Sequence, residues 1–214
     1  MNRKCLIVYS SFSGNTAKVA ERFKSTFEKN NWQCDIFRVG RKFDYMNPPF
    51  EFKNYDLVCV GSGLMSHLPS EEMLNTIQKQ FYGLDPKLLK RGRWEDVPMP
   101  EDRPPDGVPR RKGGGTHHKI ILNDTKRSIV FATYAGYEFG PKEAEPALQL
   151  LELEMMHLGF RCIGHFCCPG KFGNEPLPGT FHGDITGRPN ETDLLKAEMF
   201  IEEKLEEIAE RPSG

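Results

Sequence analysis

Residues 10–16 read SSFSGNT: hydroxyls at Ser10, Ser11, Ser13 and Thr16, a glycine and an amide, directly after the apolar run Cys5–Tyr9. The apolar positions that follow, Val19, Ala20 and Phe23, have helical spacing. A strand, a short hydroxyl-rich loop and a helix in about 25 residues bring unpaired N–H groups and a positive helix end to one place, which is chemistry for holding an anion. Two better-known phosphate loops do not fit. A nucleotide P-loop needs GxxxxGK[ST], whereas here Asn15 precedes Thr16 and the nearest lysine, Lys18, comes after it. A dinucleotide fingerprint needs GxGxxG, and only Gly14 is present. What remains is a neutral cradle of Ser11, Ser13, Asn15 and Thr16 with backbone N–H groups, suited to a terminal monoester phosphate. Taken alone, the loop is equally well explained as an ordinary strand-to-helix turn with an Asn or Ser cap.

Two further strand endings add to it. GSGLMSH (61–67) and ATYAGYEFG (132–140) are both glycine-rich, which lets backbone approach a ligand closely. They carry Met65, Tyr134, Tyr137 and Phe139, flat or soft apolar groups able to cover a planar ring system. Singly, each is explained by packing. Three such endings in chain order match the ligand edge of an open parallel sheet, outside the carboxyl ends of its strands.

The elements that must deliver these loops are legible as alternating patterns. Strand-like runs fall at Lys4–Ser10, Gln33–Val39, Leu57–Ser62, Ser128–Thr133 and Arg161–Phe166. Helical patterns fall at Asn15–Lys29, Ser70–Phe81, Glu143–Leu158 and Thr192–Ala209, the third with an apolar stripe of Leu148, Leu151, Met155 and Leu158. The alternation predicts parallel strands, right-handed crossovers and helices on both faces. One segment departs from it. Residues 86–119 contain six prolines, a GGG run and nine Lys/Arg against five Asp/Glu, so this insertion carries about +4 and the rest of the chain about −5. Such a composition cannot bury enough apolar surface to order itself, and predicts a surface excursion. KIILN (119–123) is read as a short edge strand.

At 214 residues the chain is expected to form a single domain, 1–214, with that insertion. A net charge of −1 gives no reason to expect nucleic acid or an anionic membrane as partner. The apolar run after Arg3 and Lys4 is too short for a signal peptide, and no stretch approaches a membrane span. The six cysteines lack CxxC spacing and read as buried free thiols of a reducing cytoplasm.

SSFSGNT after LIVY resembles the FMN phosphate loop of the flavodoxin family, S/T-x-S/T-G-N-T, and GSGLMS and TYAGYEFG stand where that family has its two ring-binding loops. The resemblance spans roughly residues 4–85 and 127–209. It implies a flavodoxin-like α/β three-layer sandwich, doubly wound, with a five-stranded parallel sheet of order 2-1-3-4-5, FMN as cofactor, and electron transfer as the function. By resemblance, Ser11, Ser13, Asn15 and Thr16 bind the phosphate through side chains, and Phe12 and Gly14 through backbone N–H groups. Ser62, Gly63, Leu64 and Met65 form one ring loop; Thr133, Tyr134, Ala135, Gly136, Tyr137 and Phe139 form the other. The Gly63–Leu64 peptide corresponds to one that reorients in the family. Met65 stands where many flavodoxins place a stacking tryptophan, Phe12 where many place a hydroxyl, and the balanced charge differs from the acidity of electron carriers. The expected partners are redox proteins or a small electron acceptor, with a homodimer also open. Two other functions stay open: an NAD(P)H-dependent quinone or nitro-compound reductase of the same fold, and a flavin-free binding module.

Other constellations carry less. Adjacent Cys167 and Cys168 are poor joint ligands for one metal. His117-His118 and Arg110-Arg111-Lys112 in the insertion read as solvated groups. His182, Asp184 and Arg188 form a candidate polar cluster, with Asn190 or Thr192 as the cap of the last helix.

Overall fold

The computed structural model describes residues 3–82, 123–135, 139–171 and 185–210. The 86–119 insertion, Gly136, Tyr137, His182 and Asp184 lie outside them, as does all of KIILN except Asn123. Chain order among the described residues is β1 (Lys4–Ser10), α1 (Asn15–Lys29), β2 (Gln33–Val39), β3 (Leu57–Gly63), α2 (Glu71–Tyr82), β4 (Asn123–Tyr134), α3 (Glu145–His157), β5 (Phe160–Pro169) and α4 (Glu191–Glu210). Short 3-10 turns at Phe52–Asn54 and Gly140–Glu143 precede β3 and α3. The strands pair in parallel in the order β2-β1-β3-β4-β5.

The period of two along β1 sorts its side chains into two cores. Cys5, Ile7 and Tyr9 face one way and pack with Val19, Phe23 and Phe27 of α1 and Ala197 and Ile201 of α4. Leu6 and Val8 face the other way, against Met73 and Ile77 of α2 and Leu148, Leu151 and Met155 of α3. A sheet buried on both faces accounts for the unbroken apolar runs of β1 and β3. The apolar stripe read from α3 is therefore its core-facing side. No helix among the described residues is long and apolar enough to cross a membrane.

Two local features matter below. The register shifts between Ser128↔Cys162 and Ile129↔Gly164, so Ile163 is an extra residue bulged into the edge strand β5. At the start of α4, Asn190 Oδ1 accepts from the Asp193 N–H at 3.1 Å while Asp193 Oδ2 accepts from the Asn190 N–H at 2.9 Å. That reciprocal capping box makes Asn190 the cap, and Asp193 also holds the Arg188 guanidinium through both carboxylate oxygens.

Tyr55, before β3, donates to Asp35 Oδ2 on β2 at 2.8 Å. Burial first, then that carboxylate, push its phenol up to about 12. An unfolded phenol ionises at about 10. Above that pH the unfolded chain sheds the proton first, so stability is full below about pH 10 and falls as pH rises toward the folded value. Tyr55→Phe is expected to flatten this alkaline decline in urea unfolding midpoints, and an unchanged slope would contradict it.

Candidate functional site

The parallel register ends β1, β3 and β4 side by side, with Ser10 opposite Ser62 and Gly63 opposite Thr133. The loop from Ser11 to Gly14 starts at this carboxyl edge. Gly14 caps α1 at φ +87, a left-handed conformation that glycine adopts without steric cost, and a Cβ built there meets nothing within 4 Å. No side chain caps α1, and its first turn holds no acidic residue. The positive end of the helix is therefore offered outward. Ser11 is buried and its Oγ has no hydrogen-bond partner among the described residues. Arg38, at the end of β2, donates to the Ser11 carbonyl at 2.5 Å, so a guanidinium stands beside a loop that the sequence presents as neutral.

Asn15 and Thr16, which the resemblance gives to the phosphate, bond here within the protein. Asn15 Nδ2 donates to Ser13 Oγ at 2.9 Å and to the Lys171 carbonyl at 2.6 Å, bracing the loop against the chain beyond β5. Gly170 lies tightly on this amide: a Cβ there would stand 2.7 Å from Asn15 Nδ2. Thr16 Oγ1 lies 2.8 Å from Thr133 Oγ1, both buried, joining α1 to the end of β4. Ser11 keeps a hydroxyl proton for an anion, and so does Ser13, whose Oγ accepts from Asn15.

The β3 ending is held by a chain of serines. Ser62 Oγ donates to the Gly63 carbonyl at 2.9 Å. A hydroxyl has one proton, so the 2.9 Å contact between Ser10 and Ser62 is a donation from Ser10, which in turn accepts from Ser70 at 2.7 Å. Ser70 Oγ also caps α2 by accepting from the Met73 N–H at 3.2 Å. The Leu64 N–H donates to the Thr133 carbonyl at 3.1 Å. The Gly63–Leu64 peptide is thus tied at both its carbonyl and its N–H, and reorienting it would break two bonds. A Cβ on Gly63 would stand 3.2 Å from Thr16 Oγ1, which keeps this position small.

Beyond it, Met65 and Leu68 bond to each other in both directions at 3.1 and 3.0 Å, closing a two-residue turn. Ser66 and His67 in that turn have φ of 49 and 65. His67 Nδ1 lies 3.0 Å from the largely buried Glu143 Oε2, fastening this turn to the segment that leads from β4 into α3.

Phe12 and Met65 are each 54% exposed, Leu68 51% and Phe139 70%, so large apolar groups stand in water on the loops after β1, β3 and β4. Tyr134 is placed otherwise. Its ring is buried in the α2–α3 core and its phenol is pushed up to about 12, chiefly by burial, so it presents no face at the edge. Ala135 is half-buried, and Leu64 packs partly into the same core. Gly136 and Tyr137 lie outside the described residues. Cys167 and Cys168 pack with opposite cores, one on each face of the sheet, and burial pushes both thiols up, which gives no shared site. Leu68, Arg38, Ser70 and Gly170 were missed by the sequence reading; Arg38, Ser70 and Gly170 act through partners distant in the chain, Ser11, Ser10 and Asn15. A separate groove lined by Met46, Phe50, Lys53, Gln80 and Leu158 lies at the amino edge of the sheet, away from this site.

No protein-family model matches the chain, and no curated protein matches it by sequence. Solved structures do match. Oxidised Flavodoxin 2 from Bacillus cereus is 16% identical with a TM-score of 0.56, over 95% of this chain and 99% of that one. Oxidised Flavodoxin 1 from Bacillus cereus is 12% identical with a TM-score of 0.53, over 95% and 97%. A flavodiiron core from Synechocystis sp. PCC6803 is 11% identical with a TM-score of 0.53, over 96% of this chain and 36% of that one. At these identities the likeness concerns the fold.

Proposed function

We propose that this chain, which has a flavodoxin-like fold, binds FMN at the carboxyl edge of its sheet and passes electrons between redox partners. The observation that carries the reading is the buried Ser11 Oγ, without a partner among the described residues, at the mouth of a helix that no side chain caps, with open space over Gly14. A buried hydroxyl without a partner is costly unless a ligand supplies one. A phosphate does so and also answers the α1 dipole and the Arg38 charge. Ser11 and Ser13 would donate from side chains, and the first residues of α1 from the backbone.

FMN supplies a ring system that takes up and releases electrons. The protein's part is to hold it. Exposed Phe12, Met65, Leu68 and Phe139 offer the apolar contacts that a flat ring needs and shed water when it binds. The serine chain fixes the Gly63 carbonyl, and the Thr16–Thr133 pair fixes the loops relative to each other, so the polar groups near the ring are set before it arrives. The net charge of −1 supports docking through this apolar rim rather than through long-range steering.

The test is anaerobic reduction of the FMN-loaded protein. Nicotinamide nucleotides alone are expected to leave the flavin absorbance unchanged, while adding a flavoprotein reductase bleaches it and an electron acceptor restores it. Rapid bleaching by a nicotinamide nucleotide alone would make the protein a hydride-accepting reductase instead. A protein that never takes up FMN would overturn both and leave a flavin-free binding module.

A further inference from the structure

The bulge in β5 changes which of its residues face α3. Residues three apart on a regular strand point to opposite faces. Around the bulge, Ile163 packs into the α1–α4 core, and a Cβ on Gly164 would meet Phe200 and Lys204 of α4. Two successive residues thus share one face, and Cys162 and His165 are brought together on the other, under α3. There they meet Glu152, whose Oε2 lies 2.7 Å from His165 Nε2. One ligand atom from each of Glu152, Cys162 and His165 lies within 4.8 Å of the other two. The contact between Glu152 and His165 accounts only for the carboxylate and the imidazole. It does not explain the thiol.

We propose that Glu152, Cys162 and His165 form a binding site for a divalent transition-metal ion, Zn²⁺ by the chemistry of its donors. One sulfur, one imidazole nitrogen and one carboxylate oxygen are the borderline donor set that Zn²⁺ takes, at about 2.0–2.3 Å from each. Three atoms this close can converge on one ion with small side-chain movements. Glu152 and His165 are about one-third exposed, at 33% and 36%, which leaves a fourth, solvent position. On binding, the Sγ–H bond breaks, the sulfur–metal bond forms and the proton passes to water; the imidazole ligates in its neutral form. Burial holds the free Cys162 thiol up at about 11, so the metal has to displace that proton. Ser128, opposite Cys162 in register and fully buried, turns its hydroxyl to this thiol and favours the ionised sulfur. With the helix α3 supplying one ligand and the edge strand two, the ion would clamp α3 to β5.

Co²⁺ is the spectroscopic probe, titrated into the chelator-stripped full-length protein and then displaced by Zn²⁺. One Co²⁺ per chain and a thiolate-to-cobalt charge-transfer band are expected, together with a rise in melting temperature on adding Zn²⁺. Cys162→Ser should abolish the band, and His165→Ala should weaken binding by more than about 100-fold, beyond the loss typical of an outer partner. His165 is partly exposed, so that variant reports even if Cys162→Ser folds poorly. Cys167→Ser, Cys168→Ser and the double variant His117→Ala/His118→Ala should keep the band. A band that survives Cys162→Ser, binding that depends only on His117 and His118, or no bound Co²⁺ would overturn the proposal.

Discussion

Replacing Ser13 by aspartate is expected to abolish FMN binding while leaving the apo-protein as stable as before or slightly more so. Ser13 is exposed and its Oγ accepts from Asn15 Nδ2 at 2.9 Å, a role that a carboxylate oxygen can fill. A carboxylate at the start of α1 also suits the helix dipole, worth about 0.3–1 kcal/mol. Toward a bound phosphate it acts in the opposite sense. Like charges at about 4 Å repel by about 4 kcal/mol at a surface-like effective dielectric. Against a doubly charged phosphate this doubles to about 8 kcal/mol, and half of that already exceeds the roughly 2.8 kcal/mol of a 100-fold loss of affinity. A fluorescence titration with FMN and a thermal melt without it read the two effects separately. FMN affinity within about threefold of the parent would remove the phosphate from this loop.

Gly61→Ala is the second large effect, and it falls on stability. Gly61 lies between Tyr9 and Phe131 in the sheet register, and a Cβ there would stand 2.2 Å from Phe131 Cζ. The Phe131 ring is fully buried and packs 5.0 Å from Phe23, centroid to centroid, so it has nowhere to move. Overpacking a filled core costs about 1–3 kcal/mol and at times more, a large share of a domain's 5–15 kcal/mol or so. We expect at least about 3 kcal/mol here, because the clash is with ring atoms on a rigid strand. Gly61→Ala made in a Phe131→Leu background should cost much less, since the smaller side chain frees the space; the difference is the coupling between the two positions. A single Gly61→Ala variant within about 0.5 kcal/mol of the parent would contradict this. Because Ser62 and Gly63 follow directly, the damage should also reach the FMN affinity.

Most of the scaffold was legible because apolar alternation is a local signal. The limits of β1, α1 and β2 read from the sequence coincide with those in the structure, and the order 2-1-3-4-5 follows the resemblance. β4 is longer than read, starting at Asn123 rather than Ser128. Its first residues, NDTKR, carry no apolar alternation and join the sheet by pairing with β5 across a bulge, which no local pattern announces. Tyr134 could have been placed from β4 itself: Val130, Ala132 and Tyr134 alternate onto one face and share one core.

At the site, residue types were legible and their partners were not. Asn15 and Thr16 stand within a phosphate-loop pattern, yet they bond to Lys171 and Thr133, residues 156 and 117 positions away. The serine chain from Ser70 to Gly63 likewise joins three segments that only the fold brings together. Ser11, by contrast, kept its place as a candidate donor, because its Oγ finds no partner within the described residues.

The most direct measurement compares FMN with riboflavin, which shares the ring and lacks the phosphate. Equilibrium titration of the apo-protein is expected to give FMN at least about 100-fold tighter than riboflavin, the worth of two charge-assisted hydrogen bonds at about 1.5–3 kcal/mol each. In Ser13→Asp that preference should vanish. Equal affinity of the unaltered protein for FMN and riboflavin, or binding of neither, would contradict a phosphate site at Ser11–Thr16.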